Sequence, residues 1–339
     1  MIRRTIRGGV LLPLLKRKDF MRHVVYSQPF TVGALTSLFQ NTDWIRQQFR
    51  DPEGKKRLRN LFPDKNMILL FYEPSTRTRI SFQMAGIHLG MSTYATENAK
   101  EFSSAIKGET IEDTMHVVCG YEPSVVVLRH YQEGAAERAA KIAEQYNVSI
   151  VNAGDGGGQH PTQALLDVYT IHTELGGVNG KIVLMGGDLK NGRTARSLAY
   201  LLSKFERVKI RFFSPPELTM KDDILEHLDE HGVDYSDSTN HRGLPDLLQE
   251  ADVVYWTRFQ KEREGNGADE LARQFAEKYS IGREELGFMK EKSILMHPLP
   301  RVKEISPEID EDPRSAYFRQ AHYGMHVRMA LLQELCKDK

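Results

Sequence analysis

The strongest constraint on the fold is an alternation that runs through nearly the whole chain. Apolar, β-branched runs fall at 67–72, 124–128, 148–152, 181–185, 208–213, 252–256 and 293–296. Helical spacing of apolar positions falls between and around them, at 31–49, 77–89, 109–119, 134–145, 161–174, 193–205, 221–231, 268–278 and 324–336. Strands that alternate with helices of this length form βαβ units, and those imply parallel sheets. The expected class is α/β, with parallel sheets flanked by helices. At 339 residues the chain has room for two domains, each with its own core. A boundary near residue 160 would give two α/β halves, with the last helix free to join either.

Composition removes several classes of function. Lys plus Arg and Asp plus Glu both number 46, so the basic excess usual for nucleic-acid binders is missing. No apolar run approaches the ~18 residues that span a membrane. Cys119 and Cys336 lie far apart in no shared motif, which points to a reducing compartment, a cytoplasmic location and no disulfide framework. The first 18 residues carry Arg3, Arg4, Arg7, Lys16, Arg17 and Lys18 and no acid. They could mimic a transit peptide. Val10–Leu15, broken by Pro13, is too short for a secretory core, so a poorly ordered basic extension over 1–23 is expected.

The polar residues that carry chemistry sit where strands turn into helices. After the run Met67–Tyr72 come Glu73 and Pro74, then Ser75, Thr76, Arg77, Thr78 and Arg79. Ile80, Met84 and Ile87 continue as a helix that Gly90 closes. A helix start offers unpaired N–H groups and a partial positive charge, and hydroxyls and guanidinium groups make it suited to phosphate. An N-cap followed by surface arginines is the other reading of the same residues.

Further along, His160-Pro161-Thr162-Gln163 follows the glycine-rich turn Ala153–Gly158. A histidine there can polarise a carbonyl, or simply cap the helix. Arg129, Arg193 and Arg258 with Gln260 stand at three more turns and suit a substrate with several anionic groups, unless each is a plain ion pair. His297-Pro298-Leu299-Pro300-Arg301 is held extended by its prolines, which suits backbone carbonyls that accept from a substrate or, equally, a rigid loop. Neither Gly-x-Gly-x-x-Gly between strand and helix nor a Gly-Lys-Ser/Thr loop occurs, which disfavours a nicotinamide or nucleotide enzyme.

In order along 24–336, these motifs resemble the aspartate/ornithine carbamoyltransferase family. The resemblance rests on Ser-Thr-Arg-Thr-Arg at 75–79, Lys-Gly-Glu-Thr at 107–110 and Arg-His at 129–130. It extends through 154–163, 187–194, 257–263 and His-Pro-Leu-Pro-Arg at 297–301. Ornithine enzymes usually carry His-Cys-Leu-Pro in that late loop, and here Pro298 takes the cysteine's place.

The resemblance implies a carbamoyl-phosphate-binding domain over 24–160 plus 322–339 and an aspartate-binding domain over 161–321. The α-amine of L-aspartate would attack carbamoyl phosphate directly, giving N-carbamoyl-L-aspartate and phosphate. No metal, cofactor or covalent nucleophile is required. Ser75, Thr76, Arg77 and Thr78 match phosphate ligands. Thr78, Arg129 and His160 match the groups around the carbonyl oxygen, and Gln163 with the backbone at Pro298 and Leu299 matches the carbamoyl-amide site. Lys107, Arg193, Arg258, Gln260 and Leu299 match the aspartate side.

A homotrimer with shared sites is also implied, Ser103 and Lys107 entering from the neighbouring subunit. Regulatory or pathway-enzyme subunits would be compatible with it. Glu73 matches an acid that bridges the domains on closure, with Arg193 and Arg263 as candidate partners. His322-Tyr323-Gly324 departs from the usual Glu-Asn-Gly, Ile106 from a residue that is often basic. His322 and His326, four apart, could ligate a metal, but two ligands alone rarely make a site. A carbamoyltransferase for another amino-acid acceptor and a silent binding paralogue are the alternatives.

Overall fold

The computed structural model describes residues 21–96, 99, 107–261 and 268–337. It divides into two compact units. One gathers residues up to Val25, Pro29–Ala153 and Met325 onward; the other gathers Tyr26–Gln28 and Gly154–Gly324. The division thus falls just before the glycine-rich turn, not at 160, and residues 154–160 go with the second unit.

The first unit has a four-stranded sheet of β1 (Asn66–Phe71), β2 (Ser92–Ala95), β3 (Val125–His130) and β4 (Ser149–Asp155), in the order β2-β1-β3-β4. β1 runs parallel to both neighbours, with Leu69 beside Ala95 on one side and Val127 on the other. Helix α1 (Val32–Gln48) starts at Thr31, whose hydroxyl accepts from the Ala34 N–H, and buries Leu35, Leu38, Phe39 and Ile45. α2 (Pro52–Arg59) escapes a periodicity reading because only Gly54 and Leu58 are buried; its Asp51 cap and Pro52 start it instead. α3 (Thr76–His88), α4 (Ile111–Gly120) and α5 (Ala135–Ala143) complete the crossovers.

Residues 1–20 of the basic extension lie outside the described residues. Its last part is fastened: Arg22 donates to Asn147 Oδ1 (2.7 Å), and His23 Nδ1 accepts from the Ile150 N–H (3.1 Å).

The second unit begins its regular structure with α6 (Pro161–Leu175) and has a five-stranded parallel sheet in the order β7-β6-β5-β8-β9. The strands are β5 (Ile182–Gly186), β6 (Lys209–Phe213), β7 (Asp234–Ser238), β8 (Val253–Trp256) and β9 (Ile294–Met296). β7 is a polar edge strand, so its sequence, Asp-Tyr-Ser-Asp-Ser, carries no apolar signal. Helices α7 (Arg193–Leu202), α8 (Asp222–Glu230), α9 (Leu244–Glu250), α10 (Ala268–Lys278) and α11 (Arg283–Phe288) accompany the strands. Trp256 is fully buried and donates to Tyr279 O (2.9 Å), and Gly186 is required beside it because a Cβ there would lie 2.1 Å from the indole.

The boundary falls inside the last helix, α12 (Tyr317–Cys336), whose later turns return to the first unit. There Arg328 lies over the Phe82 ring (5.0 Å) and donates to Ser81 Oγ (2.8 Å), and His326 meets Phe49 edge-on.

Both sheets reverse their order at one place. In the first the chain leaves β1 for β2 on one side and returns to β3 on the other; in the second it leaves β5 for β6 and returns to β8. Ligand crevices of open α/β sheets form at the carboxyl ends of such strand pairs.

Candidate active site

In the first unit the reversal point lies between the ends of β1 and β3, at Phe71 and Arg129, which are register partners. The chain leaves β1 through Glu73 and Pro74, and α3 starts at Thr76. Ser75 is its N-cap but makes no side-chain cap bond, so the hydroxyl is not used by its own helix. Thr76 and Arg77 are exposed, Thr78 is buried and Ser75 is intermediate. A helix start with hydroxyl and guanidinium groups on the solvent side is an anion-binding arrangement.

Arg129 Nη1 donates to Ala153 O (3.1 Å), and its Nη2 lies 3.3 Å from Glu73 Oε2. Glu73 is therefore engaged inside the first unit. Arg263 and Ser103 lie outside the described residues, and Lys107 is exposed ahead of α4. Next to Arg129, His130 is buried, stacks on Tyr131 and accepts from the Gln132 N–H at Nδ1. Burial and then the Arg138 charge push its pKa down to about 4.

The second unit's reversal point lies between Gly186 and Trp256, again register partners. Asp188 is fully buried just beyond β5 and accepts from the backbone N–H groups of Asn191 (3.1 Å) and Gln260 (3.0 Å), tying together the turns after β5 and β8. Arg193 opens α7 and donates to Gly156 O (2.8 Å). Arg258 is part-buried and donates to Phe259 O (3.0 Å).

His160 is 4% exposed, and its backbone N–H donates to Ser197 Oγ (2.9 Å). Its ring makes no cap bond to α6. Gln163, one turn on, donates to Asp167 Oδ1 (2.8 Å). Arg193, His160 and Gln163 therefore cluster around the glycine-rich turn of the same unit.

The loop after β9 is fixed from behind. Leu299 takes a left-handed conformation (φ 52°), and its N–H donates to His297 Nδ1 (2.8 Å). That bond makes Nδ1 an acceptor, so His297 is the neutral tautomer with its proton on Nε2. Nε2 lies 2.9 Å from Glu304 Oε1, and both side chains are buried. Burial lowers the His297 pKa, with Arg258 and Arg301 adding to it against the Glu304 charge. Burial, the largest influence, pushes the Glu304 carboxyl up, but His297 and the backbone N–H groups of Glu304 and Val302 together hold it below its ordinary value. Glu304 also accepts from the Val302 and Lys303 N–H groups.

Asp188 is legible in the sequence only as part of the glycine-rich turn Gly186-Gly187-Asp188, with no role of its own, and Asp167, Ser197 and Glu304 are not singled out there at all. Of these last three, Asp167 left a usable trace: an acid inside Leu165-Leu166-Asp167-Val168-Tyr169, four residues after Gln163.

Residues 22–173 match the carbamoyl-P binding domain of aspartate/ornithine carbamoyltransferase, and residues 179–335 match its Asp/Orn binding domain. The chain belongs to the aspartate/ornithine carbamoyltransferase family. It is 54% identical over 321 residues to the chloroplastic aspartate carbamoyltransferase of Arabidopsis thaliana, covering 94% of this chain and 79% of that one. Among solved structures of the family, it resembles Trypanosoma cruzi aspartate transcarbamoylase in complex with carbamoyl phosphate (TM-score 0.85, 37% identity, 92% and 95% coverage). The same enzyme in complex with carbamoyl aspartate and phosphate gives TM-score 0.81 at 37% identity, with 92% and 95% coverage.

One expectation is overturned by the relatives. The cytoplasmic location read from two cysteines far apart in the chain does not stand, because the plant relatives from Pisum sativum, Arabidopsis thaliana and Oryza sativa subsp. japonica are named chloroplastic. Scarce cysteines report a reducing compartment, a property that is not unique to the cytoplasm.

Proposed function

We propose that this chain is an aspartate carbamoyltransferase. It transfers the carbamoyl group of carbamoyl phosphate to the α-amine of L-aspartate and releases N-carbamoyl-L-aspartate and phosphate. The observation that carries this is the family match across both units, with a relative of this name at 54% identity and a related structure that holds the reaction products. Pyrimidine synthesis is the pathway the activity implies, and a plastid is the location the plant relatives favour.

In this reading the start of α3 receives the phosphate. Backbone N–H groups there, with Ser75, Thr76, Arg77 and Thr78, bind an anion without needing a metal. Thr78, Arg129 and His160 donate to the carbonyl oxygen as it gains charge, and fixed donors of this kind are each worth about 10²–10³ in turnover. Gln163 and the carbonyls at Pro298 and Leu299 orient the carbamoyl amide. Arg193, Arg258, Gln260 and Lys107 hold the two carboxylates of aspartate, where guanidinium groups would repel ornithine's ammonium. Positioning and electrostatics lower the barrier, and phosphate is itself a good leaving group. Glu73, engaged with Arg129, would exchange partners to Arg193 or Arg263 on substrate binding.

The assembly in this reading is a homotrimer in which Ser103 and Lys107 serve a neighbour's site. The test is phosphate release from carbamoyl phosphate with aspartate or ornithine, at a defined assembly mass. Aspartate should be the better acceptor and the active species a trimer. Faster release with ornithine, or full activity in a monomer, would refute the respective part.

A further inference from the structure

The end of α8, in the second unit, carries a polar cluster that the reaction does not use. One ligand atom each of His227, Glu230 and His231 lies within 4.8 Å of the other two. The two histidines are four residues apart and Glu230 is three from His227, so all three share one helix face. The imidazole centroids are 4.0 Å apart.

Hydrogen bonds behind the cluster decide which ring nitrogens keep a lone pair. Ser203 Oγ donates to Tyr200 O (3.0 Å) and also lies 3.0 Å from His227 Nε2. A hydroxyl has one proton, so with that proton on Tyr200 O the contact takes the hydrogen from His227 Nε2 and leaves Nδ1 bare. His231 Nδ1 lies 2.8 Å from His227 O. A carbonyl only accepts, so Nδ1 carries the proton and His231 Nε2 is bare. Fixing a tautomer by such an outer bond is how proteins ready a histidine for a metal.

The electrostatics agree. Burial, then His231 and Lys204, lower the His227 pKa against the Glu230 charge, which keeps the ring neutral and able to ligate. The Lys204 ammonium, which opposes a cation, is directed to Gln28 O (2.7 Å). The carboxyl end of α8 contributes its partial negative charge. Asp229 stands apart, accepting from the Tyr235 hydroxyl (3.2 Å). Two imidazoles and one carboxylate are a ligand set for Zn²⁺ rather than for Mg²⁺ or Ca²⁺.

We propose that His227 Nδ1, Glu230 and His231 Nε2 bind one Zn²⁺ per chain, with water filling the remaining position. The ion joins the last turn of α8 to the end of α7 through Ser203 behind His227. It binds the folded chain and not the unfolded one, so it should raise the melting temperature.

The test is calorimetric titration of the untagged full chain with ZnCl₂, alongside melting curves. His231→Ala and Glu230→Gln alter exposed side chains and should fold and turn over normally. The expected result is one saturable Zn²⁺ per chain, weakened at least tenfold in His231→Ala and measurably in Glu230→Gln, with the Zn²⁺-dependent rise in melting temperature lost in parallel. An affinity unchanged in His231→Ala, or no saturable binding to the native chain, would overturn the proposal.

Discussion

Asp167 offers the sharpest test of how the second unit holds its site. Its carboxylate is fully buried on α6 and gathers at least three donors: Gln163 Nε2 (2.8 Å) and Gln320 Nε2 (2.6 Å) on Oδ1, and the Tyr255 hydroxyl (2.9 Å) on Oδ2. Burial and then the Asp167 charge hold the Tyr255 pKa well above its ordinary value, so that hydroxyl stays a donor. A hydrogen bond to a charged group contributes about 1.5–3 kcal/mol net, and a neutral one about 0.5–1.5. Asp167→Asn keeps the volume, and its carbonyl still accepts from both glutamines. The charge is lost, however, and the new NH₂ faces a hydroxyl that must turn to accept. With about 1 kcal/mol lost at each bond, the cost is about 3 kcal/mol. Asp167→Ala also leaves buried donors unpaired and opens a cavity, for about 5 kcal/mol or more. Urea unfolding followed by Trp256 fluorescence in a Trp44→Phe background reads the second unit. In Asp167→Asn, Gln163 is held less firmly, so the KM for carbamoyl phosphate should rise about tenfold, a change of ~1.4 kcal/mol. An Asn variant within 0.5 kcal/mol of the parent, with an unchanged KM, would show that Asp167 only fills space.

Two further outcomes are expected. The His130 pKa, about 4 in the folded chain, lies below its unfolded value of about 6.5, so the unfolded chain takes up the proton first and stability falls as the pH drops from about 6.5 towards 4. The full shift corresponds to ~3 kcal/mol; with solvent screening about 1–2 is expected, and His130→Gln should lose that part of the acid slope in pH-dependent unfolding, an identical slope being the refuting result. Glu304→Gln should cost about 2–3 kcal/mol of stability, and about tenfold in kcat/KM if Leu299 presents its carbonyl to substrate; unaltered steady-state kinetics would show that the buried His297–Glu304 contact does not position the loop.

Both the fold class and the polar turns are legible in the sequence, for a simple reason. Runs such as Val125–Leu128 are buried and apolar, and the residues that follow them are polar or charged. Ser75–Thr78, Arg129 and His160 stand out because they interrupt a periodic pattern at the point where a strand must end. What is illegible is whatever depends on pairing across distance. Strand order, and with it the two reversal points, leaves no local trace. β7 is missed because an exposed edge strand needs no apolar face. Glu304 is hidden because its partner His297 lies across an irregular loop, where no period relates one residue to the next.

The illegible residues have one physical role in common. Around the carboxyl ends of β5, β8 and β9, short turns leave backbone N–H groups and side-chain donors with no strand or helix partner. Asp188, Asp167 and Glu304 are each buried among such donors. A buried carboxylate is costly unless its lone pairs are used, and a turn is floppy unless its donors are used. Bringing the two together satisfies both, and it fixes Gln260, Gln163 and Leu299 directly or through their neighbours. The first unit solves a different problem. At Arg129 the acid is Glu73, with 25% side-chain exposure against 4% for Glu304, so its pairing is weaker and can be exchanged. Rigid acids hold the turns of the second unit in place, whereas the more exposed acid at the turn after β1 leaves that turn of the first unit freer to respond to an anion.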